Sequence, residues 1–175
     1  NQKLASELGQ KTREIKENIS RVEHWEEIIS DAEIAYEMQD EDLINEANSN
    51  LENLEKELDK FDVQLMLSDE YDSADAMLTV NAGAGGTDAQ DWAEMLLRMY
   101  TRWAEKKGWK VTLLDKSEGD EAGIKSATIK IAGKFAFGYA KAERGVHRLV
   151  RISPFNANGK RQTSFASCEV SPIIE

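Results

Sequence analysis

Between residues 1 and 66 there is no proline and a single glycine, and apolar residues recur at alternating steps of three and four. Ile44, Ala47, Leu51, Leu54, Leu58, Phe61 and Leu65 form a strict heptad series. That pattern puts one apolar stripe along an α-helix and asks for a second helix to cover it. Upstream, Leu8, Ile15, Val22, Ile29 and Tyr36 stand seven apart, with Ile19, Trp25 and Ala32 on the same side. The polar run Met38–Asp42 separates the two series. Within it Asp40 suits an N-cap, and Glu41 and Asp42 suit the positive end of a second helix. The pattern predicts two antiparallel helices packed on their seams, a hairpin or short coiled coil over residues 1–68. Such a hairpin suits a structural or partner-binding role. His24 has no second His or Cys at ligand spacing and reads as a solvated helix residue.

The charge of the chain is uneven. Residues 1–75 carry 7 Lys and Arg against 22 Asp and Glu, whereas residues 76–175 carry 15 against 11. Within 141–161, Lys141, Arg144, Arg148, Arg151, Lys160 and Arg161 face only Glu143. The acidic half is repelled by phosphates, and the basic segment attracts them. The polar, aperiodic stretch 69–76 reads as a linker, leaving 77–175 as a second domain. Lone Cys168 cannot form an internal disulfide, which makes a reducing cytoplasm the default compartment. No apolar run approaches the ~20 residues of a membrane-spanning helix. A chain opening on Asn1 rather than Met reads as a piece of something longer.

The second half is mixed. Met77–Asn81 reads as a strand, Thr87 to about Lys107 as a helix with Trp92, Leu96, Met99 and Trp103 on one face and Tyr100 beside them, and Gly108 as its stop. Trp109–Asp115 is a further strand. Ile124–Ala132 and Phe135–Glu143 read as a hairpin around Gly133, because Phe135, Phe137 and Tyr139 alternate with small residues. Residues 144–152 read as one or two helical turns, 153–160 as a loop and Arg161–Ser171 as a last strand. The fold class expected is α+β: the helical hairpin, then a domain with an antiparallel sheet and one long helix.

Two loops carry candidate chemistry. Gly83-Ala-Gly-Gly-Thr-Asp88 joins a strand to a helix start, where backbone N–H groups are unpaired and glycine lets another molecule approach closely. It lacks the Gly-Lys-Ser/Thr of a phosphate-cradling nucleotide loop and the full dinucleotide pattern, so no nucleotide cofactor is expected. The second runs from Arg148 to Phe165. Pro154 holds Ser153 extended, which lets its hydroxyl point outward. Phe155 offers a ring, and cations flank it. Hydroxyls, a ring and cations are the ingredients for single-stranded RNA. His147 has no Ser or Cys nucleophile at a recognisable spacing and reads as a buried or loop-anchoring residue. Cys168 lies in strand periodicity and reads as core. No catalytic residue, metal ligand or cofactor is assigned.

Taken together, Gly-Ala-Gly-Gly-Thr-Asp-Ala-Gln-Asp-Trp-Ala at 83–93, Arg-Met-Tyr at 98–100, Ser-Glu-Gly-Asp-Glu-Ala-Gly-Ile-Lys-Ser at 117–126, Gly-Val-His-Arg-Leu-Val-Arg at 145–151, Ser-Pro-Phe at 153–155 and Thr-Ser-Phe at 163–165 resemble the bacterial class I peptide chain release factors of the release factor 2 family. The resemblance spans about 65–175, and the acidic hairpin fits that family's first domain. It implies recognition of UGA and UAA stop codons in the decoding site of the small ribosomal subunit, with a class II release-factor GTPase as a further partner. In that family Ser-Pro-Phe is the codon-discriminating tripeptide. Carried over, Ser153, Pro154 and Phe155 hold that position. Ser153 would bond the second-position purine, Gly85 and Asp88 would read the first uridine, and Thr163 would contact the third base with Val150 lining its pocket. Arg148, Arg151, Lys160 and Arg161 remain as phosphate or ribosomal-RNA contacts.

Two positions depart from the family pattern. Gln162 stands where the family usually has His, and Asp88 stands where Glu is commoner. The family triggers peptidyl-tRNA hydrolysis through a Gly-Gly-Gln loop in a following domain; here Thr87 follows the only Gly-Gly, at 85–86. The expectation is therefore a codon-selecting part that is not itself an enzyme. The alternatives are a paralogue lacking the hydrolytic loop that acts as an RNA-binding factor, and a coiled-coil interaction protein.

Overall fold

The computed structural model describes residues 2–174. They form two compact units, 1–65 and 66–175.

The first unit is a pair of helices, α1 (Gln2–Met38) and α2 (Glu41–Met66). Gln39 takes a left-handed conformation at the reversal (φ 55°). The Asp40 carboxylate accepts the backbone N–H groups of Asp42 at 3.0 Å and Leu43 at 3.2 Å. Asp40 is thus the N-cap expected for α2, and Glu41 and Asp42 sit in its positive first turn.

On α2 the expected seam is partly covered: Ala47 and Leu54 are buried, Ile44, Leu51 and Phe61 half-buried, Leu58 and Leu65 exposed. On α1 the seven-spaced series is not the contact stripe. Leu8, Ile15, Val22, Ile29 and Tyr36 are exposed, as is Ile19, while Trp25, Ala32 and Ala35 are buried. The packed stripe lies about one residue round the helix. Near the reversal Ala32, Ala35 and Ala47 cluster with Leu51, and such small side chains let two helix axes approach closely. Farther along, Trp25 packs edge-on against Phe61 with ring centroids 5.3 Å apart. Its indole N–H donates to Glu57 at 3.1 Å.

The second unit is a five-stranded sheet with a long helix on one face. Its elements are β1 (Ala76–Ala82), α3 (Thr87–Lys106), β2 (Lys110–Glu118), β3 (Ile124–Ala132), α4 (Ala136–Ala140), a single 3₁₀ turn (Lys141–Glu143), β4 (Gly145–Ile152) and β5 (Arg161–Pro172). The strand order is β2-β3-β1-β5-β4, and every neighbouring pair is antiparallel. Leu78 and Val80 of β1, Ile129 and Ile131 of β3 and Ala166 and Val170 of β5 form the core with Ala93, Leu96, Tyr100 and Ala104 of α3. The helix therefore rests on the sheet through alanines interleaved with larger side chains. Met99, expected on its inner face, is 47% exposed. The α+β class, the single long helix and the antiparallel sheet are as the sequence predicts.

Two segments exchange roles relative to expectation. Residues 136–140 are helical, not a strand paired to β3. Both edges of β3 are already occupied, by β2 and β1. Instead the small residues Ala136, Gly138 and Ala140 are buried, and the N–H groups of Phe137 and Gly138 donate to the carbonyls of Ala74 and Asp72, each at 3.0 Å. Residues 145–152, expected as helical turns, form β4 paired along β5.

The stretch read as a linker is packed irregular structure within the second unit, and its last residue, Ala76, opens β1. Asp72 is buried. Its carboxylate accepts the Asp69 N–H at 3.0 Å and lies 2.6 Å from the Lys141 ammonium. Asp69 and Asp72 together hold the Lys141 ammonium above its ordinary pKa.

Candidate nucleic-acid interface

The loop that ends β1 lies directly against β5. The Gly83 N–H donates to the Phe165 carbonyl at 2.8 Å, and a Cβ at Gly83 would stand 2.7 Å from that oxygen. Gly85 (φ 135°) and Gly86 (φ 60°) then turn the chain into α3. Gly86 caps the helix without a side-chain bond, so the first-turn N–H groups have no side-chain acceptor. Asp88 follows in that first turn, where a negative charge complements the helix dipole.

The loop between β4 and β5 arrives at the same place. The Ser153 N–H donates to the Lys160 carbonyl at 3.2 Å, and the Gly159 N–H donates to Asn156 at 3.0 Å, closing a tight turn. Ser153 is 3% exposed. Its hydroxyl donates to Asp88 Oδ2 at 2.6 Å and accepts the Phe155 N–H at 3.1 Å. The expectation that this hydroxyl points outward is corrected: Pro154 fixes only the backbone, and the carboxylate across the gap captures the side chain. Phe155 and Pro154 are exposed.

Arg151 also differs from its expected role. Its Nη2 donates to Asp91 Oδ2 at 2.5 Å and lies 3.4 Å from Asp88 Oδ1. It is a partner of two carboxylates, not a free cation. Arg148, Lys160 and Arg161 are exposed and available to phosphates.

The β4–β5 register sorts the remaining candidates. Val150 stands opposite Thr163, and Arg151 opposite Gln162. Arg151 reaches α3, so alternation places Val150 and Thr163 on the other face of the two-stranded ribbon. Ser164, on the α3 side, is buried, and its hydroxyl would lie 3.7 Å from a Cβ at Gly85. The structure thus gathers Gly85, Asp88, Arg151 and Ser153 at one corner. Val150 and Thr163 are neighbours just round the strand from it.

Several supporting partnerships carried no legible signal beforehand, although His147 is expected to be buried or to anchor a loop. Gln90 exchanges two hydrogen bonds with Asp120, at 3.0 and 3.2 Å, bracing the start of α3 against the 119–123 loop. Lys125 and Gln90 hold the Asp120 carboxyl below the usual carboxylate range. On the same helix the Trp92 indole donates to the His147 carbonyl at 3.0 Å. Tyr100 donates to Glu143 at 3.0 Å and stands 2.6 Å from His147 Nε2. With its one hydrogen given to Glu143, the tyrosine oxygen accepts from His147, which requires a proton on Nε2. His147 therefore anchors β4 to α3. Burial, with Cys168 and Glu143 nearby, pushes the Tyr100 hydroxyl far up. Burial also pushes the Cys168 thiol up to about 11, which keeps it neutral at physiological pH. No group of His, Cys, Asp and Glu among the described residues is arranged to hold a metal ion. No described helix is long and apolar enough to cross a membrane.

Residues 1–168 match the PCRF domain family. The chain is 53% identical over 173 residues to peptide chain release factor 2 of Clostridium perfringens, covering 97% of this chain and 48% of that protein. It is 46% identical over 175 residues to peptide chain release factor 2 of Haemophilus influenzae, covering 98% of this chain and 48% of that protein. Among solved structures it is similar to RF2 of Thermus thermophilus, with a TM-score of 0.70 and 40% identity over 95% of this chain and 47% of that one. The chain spans about half the length of the relatives it matches. On these grounds, with the helical hairpin and the α+β domain found in one chain, it belongs to the PCRF-domain family, and the relatives it is similar to are release factor 2 proteins.

Proposed function

We propose that this chain is the part of a translation termination factor that reads UGA and UAA in the decoding site of the small ribosomal subunit, and that in the full-length protein this reading directs peptidyl-tRNA hydrolysis. The observation that carries the reading is the 2.6 Å bond between Ser153 and Asp88. It joins two loops that are 65 residues apart in sequence, close enough for adjacent bases to touch both.

The chemistry follows from the corner. Gly85 and the uncapped first turn of α3 offer backbone groups to the first uridine. A carboxylate only accepts, so the Ser153 hydrogen is committed to Asp88, one lone pair of the serine oxygen takes the Phe155 N–H, and one lone pair remains. That oxygen accepts an amino or imino hydrogen from a purine at the second position. Val150 and Thr163 lie on the far side of the strand, so the third base must leave the stack of the first two to reach them. Gln162, opposite Arg151 on the α3 side of the ribbon, offers a flat amide where an aromatic ring would contribute about 1–3 kcal/mol of stacking. Exposed Arg148, Lys160 and Arg161 supply salt-sensitive, sequence-blind attraction to phosphates.

Binding of this chain to ribosomes carrying UGA, UAA or UGG in the decoding site tests the proposal. At about 1–3 kcal/mol for each well-read base, the two stop codons should bind at least tenfold more tightly than UGG. Equal affinity for all three would overturn the reading.

A further inference from the structure

Arg151 sits two residues before Ser153, near the end of β4. Asp88 and Asp91 are three residues apart on α3 and share one helix face. The Arg151 guanidinium spans them, at 3.4 and 2.5 Å through the same nitrogen, and its other terminal nitrogen lies 3.7 Å from Met95 Sδ. Its Nε is buried and makes no hydrogen bond among the described residues. The three side chains are largely covered, with exposures of 24% for Arg151, 14% for Asp88 and 25% for Asp91. One cation between two carboxylates leaves the cluster net negative, which repels a phosphate. The same Asp88 carboxylate that faces Arg151 through Oδ1 holds the Ser153 hydroxyl through Oδ2.

We infer that Arg151, held by Asp91, is a positioning residue for codon selection: it fixes the Asp88 carboxylate against Ser153 and so locks the start of α3 to the β4–β5 loop, and it does not bind RNA itself. The inference rests on the codon-reading proposal above. Without the guanidinium, Asp88 and Asp91 repel each other one helical turn apart. Asp88 is then free to turn from Ser153, and the serine hydroxyl loses the partner that sets its direction. Asp91 acts only through Arg151, so its loss should have the same consequence.

The test compares the parent with Arg151→Gln, Arg151→Lys, Asp91→Asn and the double variant Arg151→Gln/Asp91→Asn, on ribosomes programmed with UGA or with UCA, which differs from it only at the second base, between 50 and 200 mM salt (about the range over which phosphate contacts show). Arg151→Gln should cut the preference for UGA over UCA about tenfold while leaving affinity for UCA and the salt slope unchanged. Asp91→Asn should do likewise, and the double variant should be no worse than the worse single one. Arg151→Lys should keep most of the preference, since an ammonium at that spot still reaches both carboxylates. Equal loss on UGA and UCA with a salt slope lower by about one would mean that Arg151 grips a phosphate, and would overturn the inference. An undiminished preference would overturn it as well. A second readout needs no ribosome: in the free protein, the NMR signals of Ser153 and of the Phe155 amide should move alike in Arg151→Gln and Asp91→Asn. If they stay in place the clamp does not exist. If they move while the parent itself fails to distinguish UGA from UCA, the clamp stands and the codon-reading proposal fails.

Discussion

Ser153→Ala is expected to reduce the preference for UGA and UAA over UCA, which differs from them at the second base, by about ten- to a hundredfold, from the 1–3 kcal/mol that a well-placed base contact contributes, while affinity for UCA-programmed ribosomes changes little. The hydroxyl has three connections at once. It donates to Asp88 at 2.6 Å, accepts from the Phe155 N–H at 3.1 Å, and has a lone pair left for a base. Alanine removes all three. Asp88 keeps Arg151 and Asp91 as its neighbours, so the start of α3 stays folded and the loss falls on codon choice. Competition binding with the three codons, parent against variant, checks the expectation. Unchanged ratios among UGA, UAA and UCA would take Ser153 out of the recognition surface.

The largest effect on stability is expected from a glycine outside the two reading loops. Gly123 has φ +69°, a conformation that costs a non-glycine residue about 1–3 kcal/mol. A Cβ there would also stand 2.2 Å from the carbonyl group of Gln90 and 2.4 Å from the Asp91 nitrogen. These are backbone atoms of α3 and cannot swing aside. Gly123→Ala should therefore destabilise the second unit by about 3–5 kcal/mol, adding strain to overpacking. In urea the midpoint should fall with little change in slope. Because the collision is with the helix segment that carries Asp88 and Asp91, the folded fraction should also lose preference for UGA. A midpoint within experimental error of the parent would show that the 119–123 loop does not brace α3.

What the sequence could not express was tertiary partnership. The limits of α3 and its stop at Gly108 are local properties of pattern and turn chemistry, and both are found. So is the Asp40 cap. On α1, two adjacent seven-spaced stripes satisfy the same periodicity. Only the alanines that permit close approach decide which one is covered. Phe135, Phe137 and Tyr139 alternate as in a strand, yet strand pairing needs a free edge, and β1 and β2 fill both edges of β3. The site shows the same division. That the Gly83–Asp88 and Ser153 loops were candidates for presenting groups to a ligand was legible from glycine, proline and charge. That they are bonded to each other was not, because Asp88 is remote in sequence from its partner. Arg151 lies in a basic run that reads as a phosphate contact, and only the fold reveals Asp91 opposite it.

The central claim is that one corner of the second unit touches consecutive bases of the codon. Photocrosslinking from a UGA codon tests it most directly, with 4-thiouridine at the first position in one messenger and 6-thioguanosine at the second position in another. The account predicts first-base crosslinks within residues 83–88 and second-base crosslinks within 153–155. Crosslinks confined to the helical hairpin, or from either base to neither of these two segments, would contradict it.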